Sequence, residues 1–500
     1  MATQSLYFEI KDFAAGIDLR KSPITAPAGT LRILKNAHVT AGGEIEKRTA
    51  FVHRGTANPS SFGLISINGL VYTVSQANVL GHIAAGGIDA SGGPIIVGNV
   101  ALDVTGMAGG SHVTDVTDWD LYGGRLVLSA MGANGHPHFW YQDAGGPNAF
   151  VRRIQNDSGV NPAYARAFRT YKTKIHSVWA NTMRFSAAGH PEHWGGDDPA
   201  ATPDPLVGAG YVILDQEDSE MQSLQGLEVY YDKLAVFSNK ACQLWSISHD
   251  SVQNQLLQTL RQCGTIAPQS IRQYGSGDIL FLGSDGIRSL KAREQLVSAA
   301  VSDIGSPVDP LIRELYATKG VAYMGQAIAT LQPYTGRYWM VFPDRIFVLS
   351  NFPNPKITAW SVYELPFTVT DVCEAGNGGI FLRASDHKIY QYGAMTPEIY
   401  DSSPVEVTTP FLGMERPATF KQFKAIDVAC TGTWSIYAAL NPGSLTVEDH
   451  LGNATGPTFL EGQFAMMGHS THLAMRFRNE APGPATLASC MIHYDRQETT

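Results

Sequence analysis

Charged residues and cysteines are scarce in this sequence of 500 residues. Charged side chains make up only 16% of the chain, and the formal net charge is -9. Proteins that grip a phosphate backbone need clustered Lys and Arg, so this balance argues against tight nucleic-acid binding. The cysteines form no C-x-x-C pair, which argues against a zinc site and a disulfide scaffold and favours assembly in a reducing cytoplasm. They are Cys242, Cys263, Cys373, Cys430 and Cys490.

Long apolar segments are missing as well. The first residues, MATQSLYFEIKDF, lack the basic region and the apolar region of a signal peptide. No stretch of about 18 uncharged apolar residues follows, so we expect neither export by a signal peptide nor a membrane-spanning segment.

The common catalytic motifs are also absent. The sequence contains no G-x-S-x-G elbow, Walker A loop, H-E-x-x-H pair or dinucleotide fingerprint, which are the strongest signals of their enzyme classes. We therefore predict that the chain is not an enzyme and that it has no catalytic, cofactor-binding or metal-binding residues.

The chain does contain many short runs rich in Val, Ile, Tyr, Phe and Trp, separated by turns with Gly, Asn or Asp. The runs occur in hairpin pairs at intervals of roughly 40 to 60 residues, which suits the blades of a β-propeller. A series of unrelated meanders in β-sandwiches remains the alternative, because no blade signature repeats. The pairs lie at 63–75, 120–130, 174–187, 230–247, 274–290, 334–350 and 374–393.

Longer strands after about residue 400 indicate a separate β-sandwich. We therefore predict an all-β protein with an N-terminal arm and hairpin (1–55), a β-propeller-like domain (56–400) and a C-terminal β-sandwich (401–500). One segment, SPVDPLIRELYATKG, has helical spacing. In this segment Asp309 is predicted to cap the helix, and Gly320 is predicted to end it.

The most metal-like cluster lies in GHPEHWGGDD, a loop rich in Gly and Pro. No regular element fixes the geometry of its side chains, so we interpret it as a structured loop, with Trp194 packed on the propeller rim, and not as a metal site. The candidate ligands are His190, Glu192, His193, Asp197 and Asp198.

Two histidine pairs and one hairpin also attract attention. His136 and His138 flank a proline, and His469 and His472 lie at a strand entry; hydrogen-bonded structural histidines are the favoured interpretation. The hairpin GSDGIRSL (283–290) resembles the Asp-box of sialidases, but the closing Trp is absent.

Four segments, in order, resemble the tail nozzle proteins (tail tubular protein B) of short-tailed, podovirus-like bacteriophages. The first runs from GIDLRKSP to GGEIEKRTAF (16–51), and the second is MRFSAAGHPEHW (183–194). The third is VSDIGSPVDPLIREL (301–315), and the fourth runs from GHSTHLAMRF to SCMIHY (468–494). No segment is specific alone; their order carries the resemblance.

This resemblance implies a structural virion protein at the distal end of a short tail, assembled in the host cytoplasm. It implies a homohexameric ring that is attached to the tail adaptor protein, contacts tail fibres and encloses the exit channel of the double-stranded DNA. The alternatives are another tail or neck component, such as a stopper or a receptor-binding tail protein, and a β-propeller glycan hydrolase, which would carry an acidic pair in one mouth of the propeller.

The hairpin in the first tail-like segment is expected to dock a neighbouring subunit. Its charged residues are too polar for a core, whereas its apolar residues can anchor one face against the first blade. The charged residues are Glu44, Glu46, Lys47 and Arg48, and the apolar ones are Val39, Ile45 and Phe51. From the negative charge we further expect acidic and polar loops to line the channel, so that DNA passes without tight binding.

Overall fold

The computed structural model describes most of the chain. Its strands far outnumber its helices, as predicted for an all-β protein. The described residues are 6–496 except 68–69, 77–78, 89–93, 103, 105–111, 143–150, 154–163, 192–193, 195–207, 217, 276, 296–302, 377 and 445.

The N-terminal arm consists of short strands that pair with distant parts of the chain. Gly43 adopts a positive φ of 83° in the turn between the fifth and sixth strands, where a side chain would be strained. The arm strands are β1 (Leu6–Ile10), β2 (Gly16–Ile17), β3 (Thr30–Leu31), β4 (Ile33–Lys35), β5 (Ala37–Val39), β6 (Ile45–Lys47) and β7 (Val52–Thr56).

Seven antiparallel groups of strands, called blade 1 to blade 7 in chain order, follow the arm in the described residues, and blade 6 is part of a larger sheet. The first four blades each contain four strands. Blade 1 has β8 (Ser61–Ile67), β9 (Leu70–Ser75), β10 (Val79–Ile88) and β11 (Pro94–Ala101); blade 2 has β12 (Val113–Tyr122), β13 (Arg125–Gly132), β14 (Pro137–Gln142) and β15 (Val151–Arg153); blade 3 has β16 (Ala167–Tyr171), β17 (Lys174–Trp179), β18 (Thr182–Phe185) and β19 (Gly210–Ile213); blade 4 has β20 (Leu224–Tyr230), β21 (Lys233–Ser238), β22 (Ala241–Ser246) and β23 (Gln255–Arg261).

The last three blades are less regular. Blade 5 has three strands, and blade 7 borrows its fourth strand from the arm. Blade 5 has β24 (Arg272–Tyr274), β25 (Asp278–Gly283) and β26 (Gly286–Ser289); blade 6 has β27 (Ile328–Leu331), β28 (Tyr338–Phe342), β29 (Arg345–Phe352) and β30 (Ile357–Glu364); blade 7 has β31 (Val369–Glu374), β32 (Ile380–Ala384), β33 (Lys388–Tyr392) and β7.

The first strand of each blade contacts the first strand of the next. Contacts run from β8 through β12, β16, β20, β24, β27 and β31, and β31 contacts β8 again. This closed circle of sheets is a β-propeller, so the propeller prediction is confirmed and the alternative of unrelated meanders is wrong for these residues.

Strand β7, which belongs to the N-terminal arm, closes the propeller as the fourth strand of blade 7. It pairs with β33, with Thr56 opposite Lys388 and Val52 opposite Gln391. A strand that precedes blade 1 in the sequence therefore completes blade 7, and the two ends of the propeller hold each other by backbone hydrogen bonds.

The C-terminal strands form the predicted sandwich together with parts of the arm. One sheet has the order β38-β35-β40, with β1 and β6 both pairing with β40; the other contains β34-β39-β36-β37 and continues through β4 into β30 of blade 6. The inner faces share one apolar core that includes Ile426, Phe477 and Trp360. The strands are β34 (Val405–Thr408), β35 (Lys421–Thr431), β36 (Trp434–Ala439), β37 (Asp449–Ala454), β38 (Phe464–Ser470), β39 (Ala474–Asn479) and β40 (Thr486–Arg496).

The hairpin β5–β6 does not rest on blade 1, so that expectation is wrong. It joins the sandwich, where Ile45 lies opposite Leu487 of β40. Val39 and Ile45 belong to the sandwich core, and Phe51 packs edge-on against Trp339 of blade 6. The hairpin therefore connects the sandwich to the last two blades.

Two of the four charged hairpin residues are buried, which contradicts the expected exposed charged face. Lys47 and Arg48 are 1% and 0% exposed, whereas Glu44 is exposed and Glu46 is half-buried. Lys47 Nζ donates to Asn479 Oδ1 (3.1 Å) and to a backbone carbonyl, so its charge is hydrogen-bonded. Buried charges of this kind are stable only when they are paired in this way.

Arg48 is paired even more extensively. Its guanidinium donates to Asn36 Oδ1 (3.2 Å), Asp401 Oδ2 (3.1 Å) and Ser403 Oγ (2.5 Å). The last two partners lie in the segment that leads from blade 7 into the sandwich. Arg48 therefore fixes the arm to this connection.

The predicted helix exists, but its start differs from the prediction. It is α2 (Asp309–Met324), in which Asp309 is the first helical residue and not the cap, because its carboxylate binds Arg288. Gly320 interrupts the helix with φ 79°. The other helices are α1 (Leu290–Gln295) and α3 (Thr458–Glu461), with 3-10 turns at Leu214–Gln216, Ser219–Met221, Ser251–Gln253, Pro268–Ser270 and Ser306–Val308. Among the described helices, none has the length and apolarity needed to span a membrane.

Candidate functional site

The first strands of the blades surround a cavity of about 520 Å³ on the propeller axis. Blades 1, 2, 3, 5, 6 and 7 contribute to its wall. Both apolar and charged side chains line this wall. The charged residues of the wall are Asp118, Asp120, Arg169, Arg272, Asp371 and Glu374.

Arg169 joins three blades across this cavity. From β16 of blade 3, its Nη1 donates to Asp118 Oδ2 of blade 2 (2.8 Å) and its Nε donates to Glu228 Oε2 of blade 4 (2.9 Å). Desolvation lowers the pKa of Arg169, but the carboxylates of Asp118 and Glu228 outweigh it and raise the pKa above its usual value. The guanidinium therefore stays charged and serves as a tie between blades.

The carboxylates of the wall also accept backbone N–H groups from neighbouring blades. Asp118 Oδ2 accepts from the amide of Phe168 (3.0 Å), and Asp120 Oδ2 accepts from that of Thr170 (2.9 Å). First strands of adjacent blades are not paired by a backbone ladder, so side chains must satisfy these edge amides. These aspartates thus hold blade 2 to blade 3.

Glu374 of blade 7 also accepts hydrogen bonds from a neighbouring blade, here blade 6. Its Oε1 accepts from the amide of Leu331 (2.9 Å), the hydroxyl of Thr330 (2.7 Å) and Nη2 of Arg272 (3.1 Å). Glu374 of blade 7 therefore connects blade 5, which carries Arg272, with blade 6, which carries Thr330 and Leu331.

Desolvation raises the pKa of Asp118, and it also raises the pKa of each member of one carboxyl pair, Asp115 and Asp371. Desolvation, followed by repulsion from Asp371, raises the pKa of Asp115 to about 6, although Asp115 is exposed to solvent. Arg383 opposes the shifts of both members of the pair, and its guanidinium also donates to the backbone carbonyls of Ser61 and Gly63. A carboxylic acid with a pKa near neutrality can transfer a proton.

The histidines singled out in the sequence are held by local contacts. His138 is buried with its Nε2 3.1 Å from Asn134 Nδ2, and the ring of His136 stacks on another aromatic ring. His472 Nδ1 lies 2.9 Å from the hydroxyl of Thr471, and His469 stacks on an exposed phenylalanine. The structure does not bring the two pairs together.

The metal-like loop is only partly described. His190 is exposed, while Glu192, His193, Asp197 and Asp198 lie outside the described residues. Trp194 is buried between blades 2 and 3, where its Nε1 donates to a backbone carbonyl (2.6 Å) and its ring meets a phenylalanine edge-on. Within the part of the chain that the structure describes, no three His, Cys, Asp or Glu side chains are arranged to hold a metal ion. The absence of a metal site stays a prediction.

Sequence reasoning missed the axial carboxylates. The signal was present in VTDVTDWDLY, a strand-like run interrupted by Asp115, Asp118 and Asp120. Acidic residues are unfavourable in strands, so three in one strand indicate specific partners. The partners of Asp118 and Asp120, the amides of Phe168 and Thr170, lie 50 residues away on the next blade, and the sequence does not identify them.

Comparison with known proteins adds little to this description. No protein-family model matches the sequence, and no curated protein matches it significantly. Similar solved structures include the WD40 domain of Neurospora crassa Pan2, at 10% identity over 71% of this chain and 97% of that chain, with a TM-score of 0.42. The WD40 β-propeller domain of Doa1 is 12% identical over 70% and 97%, with a TM-score of 0.37, and streptogramin B lyase is 11% identical over 69% and 98%, with a TM-score of 0.39. At such TM-scores the propeller is defined by the strand order of the chain itself.

Proposed function

We propose that this chain is a structural protein of a bacteriophage virion: the distal nozzle of a short tail, through which double-stranded DNA passes into the host. In this role, copies of the chain form a hollow ring that is bound by the tail adaptor and contacted by tail fibres. The protein acts through shape and assembly, and it carries out no reaction.

The observation that carries this proposal is the meeting in space of three of the four tail-like segments. Ile45 of the first segment lies opposite Leu487 of the fourth, as neighbours in one sheet. The amide of Leu19, also in the first segment, donates to the carbonyl of Pro307 in the third (2.9 Å). Segments that lie hundreds of residues apart thus belong to one structural unit, as expected if their resemblance to nozzle proteins reflects a shared architecture.

The axial cavity also favours a structural role. Asp118, Asp120 and Glu374 each accept hydrogen bonds from a neighbouring blade, and Asp118 is ion-paired as well. Carboxylates held in this way stabilise the propeller, and their lone pairs are largely occupied. Most of the acidic wall is therefore committed to holding the blades together.

Virions made without this chain test the proposal. The phage genome that encodes it is given a stop codon early in this gene, and the particles are examined before and after the purified protein is added. We expect DNA-filled heads whose tails lack their distal end and which do not infect until the protein is supplied. Complete, infectious tails in the absence of the chain would overturn the proposal.

A β-propeller glycan hydrolase is the second candidate, and the raised pKa of Asp115 beside Asp371 favours it. Glycosidases use a general acid that remains protonated near neutral pH together with a second carboxylate. Incubating host surface polysaccharide with the purified chain and with Asp115→Asn distinguishes the candidates. The nozzle proposal predicts no release of reducing ends by either protein; release that the substitution abolishes would establish the hydrolase.

A further inference from the structure

One sheet of the sandwich has two open edges. Strand β38 pairs only with β35, and β1 pairs only with β40, among the described residues. Both strands therefore present a row of backbone N–H and C=O groups that no described strand of the same molecule covers. Such edges are templates for pairing with another chain.

The β38 edge has one of the devices that normally prevent such pairing, a register shift opposite Phe423 and Ala425, but it lacks charged residues and proline. Its sequence, FAMMGHS, contains no charged residue and no proline. Met467 is 96% exposed, and Phe459 and Phe420, which flank the strand, are 70% and 51% exposed. Monomeric proteins place Lys, Glu or Pro at free edges, so this edge has the character of a surface that is covered in an assembly.

The direction of the strands fits a head-to-tail contact. Neighbouring strands in the row β38-β35-β40-β1 are all antiparallel. Because the row has four strands of alternating direction, a second copy that continues the sheet brings its β1 antiparallel to β38. The hydrogen-bonding pattern of the sheet would then continue without interruption from one subunit to the next.

The side chains fit the same contact. Ala465, Ala425, His493 and Tyr7 lie opposite one another across the sheet and share its outer face. Met467, two residues after Ala465, faces the same side. In a continued sheet, the exposed Tyr7 of one copy (64% exposed) therefore lies opposite Ala465 of the next, with Met467 as its diagonal apolar neighbour.

We propose that β1 of one subunit pairs with β38 of the next and that this contact builds the ring. The inference rests on the proposed nozzle function because it assumes a cyclic assembly. One head-to-tail contact covers both open edges of every subunit and closes by rotation. A twofold contact between two β38 edges would leave both β1 edges uncovered.

Disulfide trapping tests this contact. The native cysteines are all buried, so Tyr7→Cys is combined with Ala465→Cys, or with Met467→Cys to allow for the neighbouring register, and the concentrated protein is oxidised. Within one subunit these sites are separated by three strand spacings, about 14 Å, which is too far for a disulfide. We expect a ladder of covalent multimers from a double variant and none from either single variant. Covalent dimers from Met467→Cys alone would indicate twofold pairing and overturn the proposal.

A charge on the edge supplies the second test. Met467→Lys is expected to weaken self-association by about tenfold or more, because an unpaired ammonium would be buried in the contact. Val252→Lys, at an 84% exposed site on blade 4, is the matched control and should have no effect. Sedimentation velocity measures both variants.

Different results would overturn the edge contact and the nozzle function. Rings that form equally well with Met467→Lys, together with no ladder from any double variant, would overturn the edge contact and leave the nozzle standing. Tails that are complete without the chain would overturn the nozzle, whatever the edge does.

Discussion

Arg288 and Asp309 form a two-point ion pair that fastens helix α2 to blade 5. Nη1 of the arginine donates to Oδ1 of the aspartate (2.8 Å), and Nη2 donates to Oδ2 (3.0 Å). Arg288 is only 4% exposed and also pairs with Asp285 (2.8 Å). In the hairpin that resembles a sialidase Asp-box, Asp285 therefore pairs with Arg288, and Arg288 in turn holds helix α2.

Removing one partner of this pair should be costly. Asp309→Ala leaves the buried guanidinium of Arg288 without its two-point partner, and we expect the free energy of unfolding to fall by about 3 kcal/mol. Arg313→Ala, which removes an exposed and distant partner of the same aspartate (3.9 Å), should change it by less than about 0.5 kcal/mol. Denaturant unfolding measures both; equal effects would contradict this role of Asp309.

The buried arginine of the arm gives a second prediction. Arg48→Ala removes the cation that pairs with the carboxylate of Asp401 in a buried site, so we expect the free energy of unfolding to fall by about 3 kcal/mol. Glu44→Ala, on the exposed tip of the same hairpin, should cost less than about 0.5 kcal/mol. If both variants unfolded at the same denaturant concentration as the unsubstituted protein, the arm would not be the structural tie described above.

The sequence contained the local part of this fold and not its long-range part. The runs around LAVFSNKACQLW and ILFLGSDGIRSL became the hairpins β21–β22 and β25–β26, because alternation and turn residues act over a few positions. The pairing of β7 with β33 and the contact of Lys47 with Asn479 span more than 300 residues. No local pattern encodes such partners.

The same limit explains the misjudged hairpin and the missed carboxylates. Charge alone argues against burial and predicts Lys47 and Arg48 at the surface, but their partners come from the sandwich and from the connection after blade 7. Asp118 bonds to blade 3 and Glu374 to blade 6, so their roles depend on closure of the propeller. A buried charge can be recognised in a sequence only after its partner is known.

The raised pKa of Asp115 predicts a pH-dependent difference in stability. Its pKa is about 6 in the folded protein, against an ordinary value of 3.8. The folded state therefore favours the protonated form, and this contribution is complete below about pH 4 and is lost as the pH rises through 6. Asp115→Asn should thus be more stable than the unsubstituted protein above pH 6, by less than about 1 kcal/mol because the site is partly screened by solvent.

Unfolding curves at pH 4 and pH 8 measure this difference. Asp449→Asn, at an exposed position of the sandwich, is the control and should show no such pH dependence. An Asp115→Asn variant that is less stable than the unsubstituted protein at pH 8 would show that the carboxylate is favourably paired there, contrary to this account.

Weak DNA binding is a further expectation. A ring of subunits that each carry a net charge of -9 repels the phosphates and keeps the duplex centred while it moves. Filter binding of purified protein at low salt should therefore detect little stable complex with double-stranded DNA. Tight binding that weakens steeply between about 50 and 200 mM salt would reveal a basic gripping surface, which a nozzle of this charge should not have.

Images of labelled tails test whether the chain forms the proposed distal ring of a short phage tail. Tails are isolated from virions of the phage that encodes the chain, treated with gold-labelled antibody against the purified protein and averaged from negative-stain micrographs. We expect a hollow ring at the distal end that carries the label and contains the six subunits that the resemblance to nozzle proteins implies. Label confined to the head or absent from the virion, or the chain present in the tail as a twofold dimer, would contradict it.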